Sequence, residues 1–249
     1  MNQMLRAFGL ACLVGLACAD GVRAGEAYYL IMFGQQSVPN NPNFSHSFAT
    51  FVRATWDGDG ACPKNPAIEA HTISWLPCTG VVRTRALHPE PGRNYGMRET
   101  LEWAQKNCMR TSAWGAYRIE CELYRRAIEQ IRLLESGQVQ YKAADMGRPT
   151  DKVSNCIHAV SSITQGYRLR VAAPGWGESA SWFILKSFEP WIIEPGCPHA
   201  WVGSALGLDE FPIIYRDYQN PRSNAVFGPI NRLLGGERDL KTTYGPGVR

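Results

Sequence analysis

The chain has 249 residues, 45% of them hydrophobic and 19% charged, with a formal charge of +4. That length holds one large domain or two small ones. The weak positive charge, gathered in no basic run, excludes nucleic-acid binding as a leading function. No apolar tract reaches the ~18 residues that a membrane span needs.

Arg6 precedes an apolar run from Ala7 to Ala19, and Val22 and Ala24 are small residues suited to signal peptidase. This is the layout of a secretory signal peptide over residues 1–24, with the mature chain starting near Gly25. A lipoprotein signal is the lesser reading, because Gly9 and Gly15 stand where leucine is wanted before Cys12 and Cys18. Cleavage removes Arg6, Arg23 and Asp20, two positive charges and one negative, taking the +4 to +3. The expected location is exported, periplasmic or extracellular, where disulfides are permitted. Cys62, Cys78, Cys108, Cys121, Cys156 and Cys197 remain in the mature chain. The sequence-close pairings Cys62–Cys78 and Cys108–Cys121 come first, although spacing leaves connectivity open. There is no CxxC pair and no HExxH, and Cys197-Pro198-His199 reads as a loop. No metal or cofactor is expected.

Ala27 to Phe33 is apolar on both faces and predicts a buried strand. Gly34 to Asn43 is a loop. Phe44 to Val52 alternates, placing Phe44, His46, Phe48, Thr50 and Val52 on one face. Asp57 to Pro66 is a second loop. Ile68 to Trp75 predicts a strand with Glu69, His71, Ile73 and Trp75 on one face, and Val81 to Leu87 a further strand ended by Pro89 and Pro91. Helical spacing links Met97, Leu101, Ala104 and Cys108, and more strongly Leu123, Tyr124, Ala127, Ile128, Ile131 and Leu134, with Gly137 as cap. Val139 to Ala143 reads as a short strand. A turn at Gly147–Asp151, with Thr150 or Asp151 as N-cap, leads into a helix over Lys152–Val160. Tyr167 to Ala173 is strand-like. Beyond Pro174 come Trp176, Trp182, Trp191 and Trp201, with short helices at Ser179–Phe188 and Ala200–Leu206 and a short strand at Pro212–Tyr215. The stretch from Gln219 is polar and glycine-rich. The fold class is α+β, an antiparallel sheet packed against helices. Residues 25–173 form one domain and 174–249 a tryptophan-rich extension packed on it.

The stretch Asn155-Cys156-Ile157-His158 carries the chemistry. A cysteine in the first turns of a helix meets N–H groups without intrahelical partners and the positive end of the macrodipole, which favour the thiolate nucleophile. Val153, Cys156, Ile157 and Val160 also share a helical face, so Cys156 equally fits a small core residue. A nucleophilic cysteine needs a base and a group to orient it. His158, two positions on, does not face Cys156 on a helix and reads as structural. His88 sits beside Pro89 at a strand end and His199 beside Pro198 in a loop, and both are expected to be exposed. His46 opens an apolar strand face, and His71 falls on a neighbouring strand, where the two imidazoles can lie side by side.

The order His46, His71, helix, short strand, Asn155-Cys156-Ile157-His158 resembles the circularly permuted branch of the NlpC-type papain-like superfamily, which contains lecithin retinol acyltransferase. There the motif reads Asn-Cys-Glu-His-Phe; here Ile157 replaces Glu, and a longer loop containing Cys62 separates His46 from His71. The approach Leu134–Lys142 is also similar, and the resemblance covers roughly residues 44–165. It implies a permuted papain-like fold with Cys156 as nucleophile, His46 as general base and His71 as the orienting group. His46 is then expected within about 3–4 Å of the Cys156 sulfur, lining a pocket, with His71 on the far side of its ring.

Two functions follow. One is an exported thiol hydrolase or acyltransferase acting on a cell-wall peptide amide or a lipid ester through a thioester intermediate. The other is a non-catalytic secreted binding or structural module on the same fold, with the tryptophan-rich extension as its working surface or a cover. The ionisation of the Cys156 thiol separates them.

Overall fold

The computed structural model describes residues 24–57, 65–145, 152–164 and 175–218. Residues 1–23 of the expected signal peptide (1–24), Cys62, the expected caps Thr150 and Asp151, the stretch Tyr167–Ala173 and the tail from Gln219 lie outside the described residues.

In chain order the elements are β1 (Ala24–Gln36), β2 (Ser45–Asp57), β3 (Ala67–Ile73), β4 (Trp75–Pro77), β5 (Glu90–Asn94), α1 (Met97–Lys106), β6 (Arg110–Ile119), α2 (Cys121–Glu135), β7 (Gln140–Tyr141), β8 (Val153–Ser154), α3 (Cys156–Ser161), α4 (Glu178–Ser187), α5 (Ala200–Ala205) and β9 (Ile213–Tyr215). They form a five-stranded sheet in the order β3-β2-β1-β6-β9 and a smaller one in the order β4-β5-β7-β8. The large sheet is antiparallel except where β9 runs parallel to β6. The fold is α+β, with largely antiparallel sheets packed against helices. Among the described residues no helix is long and apolar enough to cross a membrane.

Alternation along β1 and β2 sends side chains to both faces of the large sheet, and both faces are covered. Ala27, Tyr29, Ile31 and Phe33, with Phe48, Val52 and Ala54, pack against Leu101 of α1 and Val202 of α5. Leu30 and Met32, with Ala49, Phe51 and Ile73, pack against Leu123, Ala127 and Ile131 of α2, Ala159 and Val160 of α3 and Ile184 and Leu185 of α4. A strand buried on both sides is apolar throughout, which is why Ala27–Phe33 was legible as one.

Several expectations need correction. Val81–Leu87 is a loop, not a strand, and Pro91, expected to end a strand, lies inside β5. Ile68–Trp75 is broken at Ser74 into β3 and β4. Strand β6, the neighbour of β1, was not foreseen, because its run of small and polar residues hides the alternation. The extension is no appendage: β9 completes the large sheet and α4 fills its core. Trp176, Trp182, Trp191 and Trp201 are each half-buried, and the last three pack against the two core clusters. Cys78, Cys108, Cys121, Cys156 and Cys197 are free thiols. The Cys108–Cys121 pairing fails on length. The two flank β6, whose ten residues span about 34 Å, against a Cα separation under about 7 Å for a disulfide.

Candidate active site

Cys156 is the first residue of α3, and Asn155 is its N-cap: the Asn155 Oδ1 accepts from the His158 N–H at 2.8 Å, and its amide donates to the Ala143 carbonyl at 3.3 Å. The asparagine before the cysteine therefore ends extended backbone and starts the helix at the sulfur. The backbone N–H groups of Ser47, Ile157 and Cys156 itself pull the thiol toward its charged form. Ser47 belongs to β2, at the end where β3 has already stopped, since the β2–β3 ladder closes at Ala49 opposite Ile73. Helix α3 packs against β2, with Ala159 and Val160 on the face of Ala49 and Phe51.

His46 is the residue before Ser47. Its ring is fully buried, stacked on Phe48 at 5.7 Å and edge-on to Trp103 of α1 at 5.8 Å. Nε2 lies 2.9 Å from the Ser74 hydroxyl. That hydroxyl accepts from Thr100 at 2.8 Å, and Thr100 also donates to the Gly96 carbonyl. Gln35, directly across from His46 on β1, donates to the Thr100 carbonyl at 3.3 Å. Nδ1 makes no hydrogen bond among the described residues, so none joins it to the Cys156 sulfur.

Cys156 starts α3, and His46 lies on β2 with its ring turned toward α1 beside Phe48 and Trp103; His71 is not brought to it. His71 sits opposite Phe51, five residues along β2 from His46, or about 17 Å at ordinary strand rise. Five is odd, so it also faces the other side of the sheet, where its ring meets Tyr124 of α2 and its Nε2 pairs with Glu69 at 2.8 Å. The register that excludes His71 favours Ser74: extended by one residue, the ladder sets Ser74 across from Phe48, on the face of His46. The group on Nε2 is therefore a serine hydroxyl. His46 also does not line a pocket; it is sealed.

His158, expected to be structural, is buried and pairs through Nδ1 with Asp145, a residue the sequence reading did not single out. His88 is exposed, as expected. His199 is not: it is half-buried, edge-on to Tyr29 and 3.6 Å from Glu194. A groove of about 540 Å³ is lined by Phe44, Val81, Val82 and Trp103, among others. Trp103 is shared between that groove and His46.

Burial pushes the Cys156 thiol up to about 11, against the pull of the three N–H groups, and Asp145 pushes the same way as burial. Burial pushes His46 down to about 3. At neutral pH both groups rest uncharged. Ionising His46 puts a charge into a desolvated interior, whereas Cys156 is half-buried by its exposed area.

Comparison with known proteins finds no match among family models, curated proteins or solved structures.

Proposed function

We propose that the chain is an exported, cysteine-dependent hydrolase or acyltransferase on a permuted papain-like fold, with Cys156 as nucleophile, His46 as general base and Ser74 as the orienting group. One observation carries this reading. Cys156 stands at the start of α3, which packs against β2, and β2 carries a fully buried histidine held at Nε2 with Nδ1 unbonded among the described residues. A core needs no buried histidine with a spare nitrogen.

In this mechanism Nδ1 takes the thiol proton as sulfur attacks the substrate carbonyl. N–H groups at the start of α3 stabilise the tetrahedral oxyanion. The intermediate collapses to a thioester, and His46 returns the proton to the departing amine or alcohol. Water or an acyl acceptor then attacks the thioester, giving its proton to His46, and the thiol is restored. The substrate is a cell-wall peptide amide or a lipid ester.

The second reading, a non-catalytic secreted module, is favoured by the sealing of His46 and the raised thiol. The deciding experiment measures hydrolysis of amide and ester substrates, with iodoacetamide labelling of Cys156 at neutral pH. Cys156→Ala should lower turnover by about a thousandfold or more, and His46→Ala nearly as much. His158→Ala should mainly cost stability. Turnover indifferent to Cys156→Ala would reject the enzyme; loss with His158→Ala but not His46→Ala would reassign the base.

A further inference from the structure

The loop from Cys78 to Pro89, which joins β4 to β5, is held at three places. The Trp103 indole N–H of α1 donates to the Gly80 carbonyl at 3.0 Å. Thr84 donates its N–H and its hydroxyl to Asn43 Oδ1, at 3.1 and 2.8 Å, in the connection between β1 and β2. The Lys142 ammonium donates to the Leu87 carbonyl at 3.0 Å. Gly80, at φ +67°, supplies the left-handed turn near the start of the loop. So tied, the loop forms one wall of the groove that Phe44 and Trp103 also line.

Two properties of the groove go together. Phe44, Val81, Val82 and Trp103 give it apolar walls. Val38, Phe44, Val81 and Leu87, all in these two loops, are four of the seven large apolar side chains exposed among the described residues, so exposed apolar surface is concentrated here. Its charge is of one sign: Arg83 and Arg85 line it and no acidic residue does. Arg83 keeps only a loose pairing with Glu90, at 3.7 Å. Arg85 is exposed and has no ion-pair partner among the described residues. The polar groups of Asn43 and Thr84 are spent on each other. The volume of about 540 Å³ suits a small molecule, whose sites are apolar with a few fixed polar groups.

We propose that this groove binds a free carboxylate carrying an apolar chain, of the fatty-acid class. The chain lies along Phe44, Val81, Val82 and Trp103, and the head meets Arg83 and Arg85. A guanidinium matches a carboxylate with two parallel hydrogen bonds, and the walls reward apolar area. A neutral chain leaves the arginines unused, and a small hydrophilic anion leaves the walls unused. The lining contains neither Cys156 nor His46, so the site stands apart from the thiol-enzyme reading.

The test is calorimetric titration of the full chain with decanoate, at neutral pH and below its micelle-forming concentration, beside decanol, acetate and phosphatidylglycerol vesicles. Decanoate should bind at a single site. Decanol, which keeps the chain and lacks the charge, should bind about fivefold more weakly, and acetate should not bind detectably. Arg85→Gln should weaken decanoate about fivefold and leave decanol unchanged. Val81→Asp, at an exposed position, should weaken decanoate about tenfold by removing apolar wall and adding a like charge. Arg132→Gln, at an exposed arginine of α2 outside the groove, should change nothing. No binding of decanoate, equal binding of decanol, or an Arg85→Gln effect no larger than that of Arg132→Gln overturns the proposal. Binding to vesicles alone also overturns it and makes this face a membrane contact. Where Val81→Asp fails to fold, Arg85→Gln decides by itself.

Discussion

The strand pair β1–β2 carries a polar network at each end, built from the same residue types. At one end His46, Ser47, Ser74 and Thr100 lie in the interior beside the Glu178–Arg110–Arg216 cluster. At the other, His71 and Glu69 meet Arg53 and Glu26 at the surface, with side chains about a third to a half exposed. Water competes for every bond at the second end and for few at the first. A histidine paired to a carboxylate in solvent is an ordinary surface feature. One held by a single hydroxyl in a closed interior, its other nitrogen unbonded, is costly to keep and calls for a use.

The contrast breaks first at Glu178. Glu178→Ala strands Arg110 and Arg216 over a buried gap and should cost about 3–5 kcal/mol in urea unfolding. A loss no larger than that of a surface pair would mean the cluster is not desolvated.

The next effect is in pH. His46 titrates near 3 when folded and near 6.5 as an unperturbed group. Between those values the unfolded chain binds the extra proton, so stability falls as pH drops from about 6.5 towards 3, by up to about 1.4 kcal/mol per unit. His46→Gln should flatten that slope. On the alkaline side the folded thiol near 11 lies above its ordinary 9, so stability falls as pH rises from 9 to 11, and Cys156→Ser should remove that share.

The smallest effect is at the open end. His71→Ala should leave the midpoint of thermal unfolding within about 2 °C of wild type and turnover unchanged. A loss of activity there would return His71 to the site.

The sequence disclosed what periodicity and local chemistry can disclose. The apolar β1, the alternating β2, the helices α2, α4 and α5 and the cysteine at a helix start were legible because each is written within one segment. Cys156 and His46 stand out in the sequence as residue types that a core does not require. Ser74, Thr100 and Asp145 do not, because serine, threonine and aspartate are common everywhere and gain meaning only from the elements that meet them. His71 misled through register: two strands can be recognised from their own residues, but which residue faces which depends on where the ladder starts, and a shift of three positions exchanges both face and neighbour. Strand β6 was lost because its small residues serve close packing rather than alternation.

The parallel pairing of β9 with β6 sets Ile213 beside Thr111, a contact across 102 residues of chain. The first three strands find one another as successive hairpin neighbours, but the outer edge of β6 waits for the last described strand. During synthesis that edge stays bare until residue 215 has emerged, a template for pairing with another chain. Any helper that escorts this polypeptide would have its longest engagement at Thr111–Ala113, and the timing of the C-terminal segment, as much as its contacts, decides whether the molecule arrives single.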